Sequence, residues 1–294
     1  EQLYDLISAG LGRYNKVRLE SLDELSSKRI WGEFILAGQP CDPVKLASIA
    51  EDLMFYVEIH FYHREMRPEM PAVLETLRQM GLKIGLISNV MSRGQVPDNL
   101  VAYNIRHYFD PIVLSCEYGR RKPDPAIFHY AARMAKVPTS ACAYVGDRIA
   151  RDILGARKAG FRLAIQIRHD FEHGEEDNGA TPDAFINDMT GLLEILQAEI
   201  ERSDQKSALY AAEQRKIRAL LFDAGDILYF RPQRGLKFAA FLKESGLGGR
   251  EISAAAKAQL TDQAYQGVIN QDEYHEALVR LYGVTLPEQV ERGK

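Results

Sequence analysis

The sequence predicts an α/β protein built on a doubly wound parallel sheet, with an all-α part outside it. Between residues 67 and 231, short apolar runs alternate with helical segments, an order typical of parallel strands joined by crossover helices. Residues 1–66 and 232–294 instead show helical spacing of apolar side chains without strand-like alternation. We therefore expect an α/β core over 67–231 and a discontinuous helical domain made from the two ends of the chain.

The elements of the core follow in order along the chain. Gly81 is a favourable helix stop, so a helix is expected from about Pro71 to Met80. Further helices are expected over 126–135, 150–159 and 190–200. Apolar runs with the length of buried strands cover 82–87, 112–116, 142–145, 163–167 and 217–223. Residues 201–216 are charged, rich in Ser and Gln and expected to be partly helical, and we take 196–216 as a connector leading to the last strand.

Composition excludes several classes of partner. The 294 residues are 46% apolar and 27% charged with a net charge of −4, so neither a nucleic-acid footprint nor a membrane-binding face is indicated. No apolar run approaches the roughly 20 residues of a membrane span. The three cysteines, Cys41, Cys116 and Cys142, have neither disulfide nor metal-type spacing, which favours a reducing, cytoplasmic location. Cys116 and Cys142 are expected to be small core side chains in strands.

Polar groups that suit phosphate chemistry follow four of the predicted strands. Asp223 follows the last strand, Ser88 and Asn89 follow the first, Lys122 comes shortly after the second and Asp147 ends the third. Carboxyl ends of parallel strands share one edge of a sheet, where ligands bind. There a carboxylate can attack phosphorus, and a hydroxyl and a lysine can neutralise the phosphoryl oxygens. Each residue alone is common in turns, but the set predicts a phosphoryl-transfer site.

Four segments resemble the motifs of the haloacid dehalogenase-like hydrolase superfamily. They are Phe-Asp-Ala-Gly-Asp-Ile-Leu at 222–228, Leu-Ile-Ser-Asn at 86–89, Arg-Lys-Pro-Asp-Pro at 121–125 and Tyr-Val-Gly-Asp-Arg-Ile-Ala-Arg-Asp-Ile-Leu-Gly-Ala at 144–156. The last segment is highly specific. The resemblance covers nearly the whole chain, and it implies a Rossmann-like core with a helical cap inserted between the first and second motifs.

The resemblance also implies a role for each residue of the predicted site. Asp223 would be the nucleophile, while Ser88 and Lys122 would bind the phosphoryl group of a small phosphorylated substrate. Asp147 would bind Mg²⁺ together with Asp223 and the backbone carbonyl of Gly225, since this hard cation favours oxygen ligands.

Other residues would support this site. Asp152 would be a carboxylate that orients Lys122 or a metal-bound water. Asn89 would support the loop and the substrate rather than do chemistry. Arg231, soon after the first motif, is a candidate contact for an anionic group of the substrate, although an arginine exposed to solvent is the alternative.

The first motif departs from the pattern of most phosphatases in this superfamily. They carry a second Asp two residues after the nucleophile, which protonates the leaving group and later activates water. Here Gly225 takes that place, and Asp226 comes one residue later in a tight turn. Two alternatives to a Mg²⁺-dependent phosphatase therefore stay open: a weakly active or inactive scaffold that binds a phosphorylated ligand or a protein, and a metal-independent 2-haloacid dehalogenase. Asp147 favours phosphoester chemistry.

The order of the motifs is also unusual. The superfamily runs first motif, cap, second, third, fourth, whereas here the first motif comes last. Joining the two ends would make a continuous cap from 232–294 and 1–66, which predicts a circular permutant with 196–216 as the new connector. The alternative is a segment of a tandem array, in which strands or caps are exchanged between copies and an oligomer forms.

Overall fold

The protein is described from a computed structural model. The described residues are 2–60, 64–168, 180–207, 216–230 and 271–284, with isolated positions between 243 and 263. Arg231 and most of 232–294 therefore lie outside the described residues. Within the described part of the chain, every helix is too short or too polar to cross a membrane.

A six-stranded parallel sheet forms the centre of the described structure. In spatial order its strands are β3 (Ile112–Leu114), β2 (Lys83–Ser88), β7 (Ala219–Phe222), β4 (Cys142–Gly146), β5 (Leu163–Ile167) and β6 (Ala184–Ile186). Every neighbouring pair in this sheet is parallel. A second, antiparallel pair joins β1 (Glu65–Met66) to β8 (Tyr229–Phe230). The predicted parallel α/β fold is confirmed.

Helices cover both faces of the sheet. On one face pack α4 (Met70–Gln79), α5 (Gln95–Ala102) and α9 (Gly191–Ser207). On the other pack α7 (Pro125–Met134) and α8 (Leu154–Lys158), which continues a π-helical turn at Ile149–Ile153. The side chains of β7 alternate between these layers: Leu220 and Phe222 enter the first, Ala219 and Leu221 the second. This alternation makes the sheet doubly wound.

Strand β7, the last of the six sheet strands in sequence order, lies in the middle of the sheet. Phe222 of β7 is opposite Leu86 of β2 on one side and Val145 of β4 on the other. Every residue of β7 is fully buried, and burying a large apolar side chain contributes about 1.5–3 kcal/mol to folding. The central position of β7 agrees with the permuted motif order. Whether that order arose by circular permutation stays a prediction.

The N-terminal residues form a helical unit with its own core. It contains α1 (Gln2–Ser21), α2 (Ser27–Arg29), a π-helical turn over Ile30–Ile35 and α3 (Pro43–His60). Buried side chains from α1, the π-helical turn and α3 pack together, among them Tyr14, Trp31 and Met54. The helical character expected for 1–66 is therefore observed up to His60, while Glu65 and Met66 form a strand. The other expected half of the cap is described mainly through α10 (Gln271–Leu281).

Several local predictions were wrong in detail. The run expected as a strand over 112–116 leaves the sheet after Leu114, and Cys116 is half-buried in the short helix α6 (Ser115–Tyr118). The helix α9 (Gly191–Ser207) is longer than the helix expected over 190–200 and enters the connector, for which partial helicity was expected. Strand β6 and helix α5 were not predicted. Three residues at a sheet edge are too few to show a period, and Pro97 stands in the first turn of α5, where a proline is tolerated although it argues against a helix in the sequence.

Candidate active site

A buried lysine occupies the centre of the polar edge of the sheet. The ammonium of Lys122 lies 2.6 Å from Asp152 Oδ1 and 3.0 Å from Asp223 Oδ1, and all three side chains are nearly inaccessible. Lys122 Nζ also donates to the hydroxyl of Tyr144 at 2.8 Å, and that hydroxyl donates to Asp152 at 3.2 Å. The structure thus brings together residues from three separate segments that sequence reasoning had assigned to one site.

Asp147, Asp152 and Asp223 form a compact group of buried carboxylates. One ligand atom from each lies within 4.8 Å of the others. Asp147 follows β4 and Asp223 follows β7, so neighbouring strands deliver them to one edge. Gly146 permits Asp152 to approach, since a Cβ at Gly146 would lie 2.3 Å from the Cβ of Asp152. This donor set fits a hard divalent cation such as Mg²⁺, which prefers carboxylate oxygens.

The environment of Asp223 changes its acidity. Burial raises the pKa of its carboxyl to about 6, with the negative charges of Asp152 and Asp147 adding to the rise. The positive charges of Lys122 and Arg151 oppose that rise. A pKa near 6 leaves Asp223 mainly ionised at neutral pH, as a nucleophile must be. The backbone N–H of Ala224 donates to Asp223 Oδ1 at 2.8 Å and holds the carboxylate in place.

Arg151 belongs to the site, although sequence reasoning did not single it out. Its Nη2 lies 3.2 Å from Asp223 Oδ2, 3.5 Å from Asp147 Oδ1 and 3.7 Å from Asp152 Oδ2. The available signal was its spacing, because Arg151 follows Asp147 by four residues and lies in the first turn of the helical segment after β4. A guanidinium here partly neutralises the same carboxylates that would bind a metal.

The segment after β2 supports the lysine. Asn89 Nδ2 donates to the carbonyl of Lys122 at 3.1 Å, and the N–H of Lys122 donates to Asn89 Oδ1 at 2.9 Å. This reciprocal pair positions the Lys122 backbone. Ser88 ends β2 and is buried beside the end of β7. The roles of Ser88 in phosphoryl binding and of Asn89 in substrate binding remain predictions.

The turn after Asp223 contains Gly225, which stands where most phosphatases of the superfamily carry a second Asp. A Cβ added at Gly225 would meet no atom within 4 Å, so the space beside this residue is open. Asp226 takes a left-handed backbone conformation with φ of 59°. Its carbonyl accepts a hydrogen bond from Arg67 Nη2 at 3.0 Å. Asp226 is not part of the compact carboxylate group. Arg231, the predicted substrate contact, lies outside the described residues.

The sequence of this chain is similar to that of a known family of hydrolases. A model of the haloacid dehalogenase-like hydrolase family matches residues 12–160. This match includes Ser88, Lys122 and Asp152 but ends well before Asp223. The family match therefore covers most of the helical unit and the first strands of the core, and β7 with Asp223 lies outside it.

The sequence similarity to named relatives covers about half of this chain. A glyceraldehyde 3-phosphate phosphatase from Methanopyrus kandleri is 33% identical over 51% of this chain and 64% of its own length. A phosphoserine phosphatase from Thermus thermophilus is 35% identical over 53% of this chain and 59% of its own length. The chain thus spans less than two thirds of these relatives. A crystal structure of a 2-haloacid dehalogenase from Pseudomonas syringae pv. Tomato DC3000 aligns with 24% identity and a TM-score of 0.45, covering 67% of this chain and 80% of that one.

Proposed function

The chain belongs to the haloacid dehalogenase-like hydrolase family, and from this premise we propose that it is a Mg²⁺-dependent phosphatase of small phosphorylated metabolites. The observation that carries the proposal is the buried ammonium of Lys122 between Asp223 and Asp152 at the carboxyl edge of the sheet. Relatives named as phosphatases of small metabolites, matched over about half of this chain, support the same class of substrate.

The proposed reaction has two displacement steps. In the first, a carboxylate oxygen of Asp223 attacks phosphorus and the bond from phosphorus to the leaving oxygen breaks, which yields an aspartyl-phosphate. The leaving oxygen takes a proton from water, since Gly225 offers no acid. In the second, water attacks phosphorus and gives a proton to the hydroxide left by the first step, the bond from phosphorus to the Asp223 oxygen breaks, and inorganic phosphate leaves with the carboxylate regenerated.

Cationic and polar groups would stabilise the charge that spreads over the phosphoryl oxygens. Lys122 and Ser88 would bind those oxygens, and Asp152 together with Tyr144 would hold the Lys122 ammonium in place. Asp147, Asp223 and the carbonyl of Gly225 would hold Mg²⁺. Bound Mg²⁺ would supply further positive charge to the phosphoryl group.

The test is Asp223→Asn in a panel of phosphoesters measured with and without Mg²⁺. Loss of a covalent nucleophile is expected to remove essentially all Mg²⁺-dependent phosphate release. Asp98→Asn on the exposed surface of α5 is the matched control, and its rates should equal those of the parent. Unchanged phosphatase activity in Asp223→Asn would show that the nucleophile is assigned to the wrong residue.

A second candidate is a weakly active or inactive scaffold that binds a phosphorylated ligand or a protein partner. Gly225 favours it, because a missing general acid typically lowers a rate by about 10²–10⁴-fold. A flat phosphoester panel combined with ligand-induced thermal stabilisation would support this candidate. Metal-independent release of halide from a 2-haloacid would instead indicate a dehalogenase.

The assembly state and location are further parts of the proposal. We expect a cytoplasmic protein. Exchange of strands or caps between copies would give an oligomer, whereas a permuted chain that pairs β7 with its own β2 and β4 would be monomeric. The mass in solution, measured by light scattering, decides between the two.

A further inference from the structure

The loop over residues 89–94 joins β2 to α5 and begins with Asn89, whose side chain holds the backbone of Lys122. Four consecutive backbone N–H groups of this loop, those of residues 90–93, donate to side-chain oxygens. A backbone N–H that is removed from water needs an acceptor. The conformation of the loop therefore depends on the side chains that supply these acceptors.

Glu58 of α3, in the helical unit, supplies two of the four acceptors. Its Oε1 accepts the N–H of Met91 at 3.0 Å, and its Oε2 accepts the N–H of Ser92 at 2.9 Å and the hydroxyl of Ser92 at 2.6 Å. Glu58 is only 6% exposed, and the Met91 side chain packs against the core of the helical unit. Because each oxygen accepts a different N–H, an ionised carboxylate fits this position, whereas a carboxamide offers only one oxygen.

The helical unit also holds the two ends of this run of N–H groups. At one end, Glu51 of α3 accepts the N–H of Arg93 at 2.6 Å. At the other end, Ser115 accepts the N–H of Val90 at 3.0 Å. The hydroxyl of Ser115 donates in turn to Glu24, between α1 and α2, at 2.8 Å. Carboxylates of the helical unit thus fix the conformation of a loop that belongs to the core.

Asn89 connects this loop to the candidate active site. Its Nδ2 donates to the carbonyl of Lys122 at 3.1 Å, and its Oδ1 accepts the N–H of Lys122 at 2.9 Å. The ammonium of Lys122 lies 3.0 Å from Asp223 Oδ1. Two residues of extended chain span at most about 7 Å, so a displacement of Met91 also displaces Asn89.

We propose that Glu58 is a positioning residue of the enzyme, whose carboxylate keeps Asn89, and through it Lys122, in the geometry that phosphoryl transfer requires. The inference rests on the proposed phosphatase function and deepens it. Misplacement of a reacting group by about 1 Å can cost about 10²-fold in rate. Glu58 acts through Lys122, which would stabilise charge that develops in the transition state, so its effect should appear in kcat more than in KM.

The test is Glu58→Gln, which keeps the shape of the side chain but leaves one of the two loop N–H groups without its acceptor. We expect kcat for phosphoesters at saturating Mg²⁺ to fall by about tenfold or more, with little change in KM. The matched control is Glu33→Gln, because Glu33 is an exposed glutamate of the helical unit that pairs with Arg29. Its kcat should equal that of the parent. An unchanged kcat in Glu58→Gln would overturn the proposal.

A double-mutant cycle separates positioning from general loosening of the helical unit. If Glu58 acts through Asn89, then Glu58→Gln should lower kcat no further in a protein that already carries Asn89→Ala. Two losses that multiply would overturn this route. Ile35→Val removes a methyl group from the core of the helical unit without removing an acceptor, and it should leave kcat unchanged. A loss in Ile35→Val as large as that in Glu58→Gln would indicate loosening and overturn the proposal.

Hydrogen exchange at the amide of Lys122 tests the positioning without turnover, which separates its failure from failure of the phosphatase proposal. In Glu58→Gln this amide should exchange at least about tenfold faster than in the parent, because its acceptor on Asn89 is displaced. The N–H of Asp223, which donates to a carbonyl of β4 at 2.9 Å, should keep its rate. Faster exchange confined to residues 91–92, or equal acceleration at Lys122 and Asp223, would overturn the proposal even if no phosphate is released.

Discussion

The guanidinium of Arg151 lies 3.2 Å from the carboxylate of Asp223. The same Nη2 lies 3.5 Å from Asp147 Oδ1. One cationic side chain therefore contacts both of the carboxylates that are proposed to hold Mg²⁺. A metal ion and a guanidinium at the same oxygens repel each other. Arg151 is therefore expected to weaken metal binding and to move when a metal binds.

Replacing Arg151 by Ala should tighten Mg²⁺ binding. Two like charges a few ångströms apart repel by about 4 kcal/mol at a typical effective dielectric constant, so a gain of at least about tenfold in affinity is expected. Isothermal titration with MgCl₂ measures it directly. Arg157→Ala is the control, because Arg157 pairs with Asp183 on the surface and should leave the affinity unchanged. Weaker binding in Arg151→Ala would mean that the arginine helps to organise the carboxylates.

Installing an acid at position 225 should increase phosphatase activity. A Cβ at Gly225 meets no atom within 4 Å, so Gly225→Asp is expected to fold without displacing its neighbours. A carboxylic acid there would protonate the leaving group, and such catalysis typically contributes about 10²–10⁴-fold. We expect kcat to rise by at least about tenfold for substrates with poor leaving groups.

The comparison for this change is Gly225→Asn, which has nearly the same shape but offers no carboxyl proton. Its kcat should remain at the level of the parent. Steady-state rates with ethyl phosphate, a poor leaving group, and p-nitrophenyl phosphate, a good one, provide the measurement. If Asn and Asp variants are equally fast, proton transfer is not the missing contribution.

Glu58 of α3 holds the loop that follows Ser88 and Asn89. Its buried carboxylate accepts hydrogen bonds from the N–H groups of Met91 at 3.0 Å and Ser92 at 2.9 Å. Glu58→Ala leaves both groups without this acceptor, and we expect the free energy of unfolding to fall by about 2–4 kcal/mol. Urea denaturation measures the loss.

Glu58→Gln provides the matched comparison. Burial raises the pKa of the Glu58 carboxyl, although the hydrogen bonds from Ser92 and Met91 oppose the rise. A neutral side chain that keeps one oxygen acceptor should therefore cost less than Glu58→Ala. Faster hydrogen exchange at Met91 and Ser92 in the Ala variant would confirm that the loop is affected. An equal loss in both variants would show that charge, not the acceptor, matters.

Thiol reactivity should separate the three cysteines. Cys41 is exposed, whereas Cys116 is half-buried and Cys142 is buried. Burial raises the pKa of Cys116 and of Cys142 to about 12, so both stay as unreactive thiols at pH 8. Labelling of the native protein with a disulfide reagent at pH 8 should give one rapid equivalent, and Cys41→Ser should abolish it. Rapid reaction in Cys41→Ser would indicate that the core opens readily.

The sequence alone was sufficient to predict five of the six strands of the sheet and most residues of the candidate site. Apolar runs of strand length and the turn residues that end them are local properties, so Asp223 and Asp147 could be assigned to strand ends and Lys122 to the segment that follows another strand. Parallel strands then place those ends along one edge. Sequence reasoning failed where no local pattern exists, as in the three-residue strand β6.

What only the tertiary structure decided is which charges meet and how completely they are paired. Lys122 contacts Asp223 across a sequence separation of more than a hundred residues, because β7 enters between β2 and β4. Arg151 reaches Asp223 for the same reason. The direction and burial of a side chain depend on neighbours that are distant in sequence, and pairing energies follow from that burial. Local sequence patterns were thus enough to identify most residues of the candidate site, while the fold determined how the charges of those residues are paired.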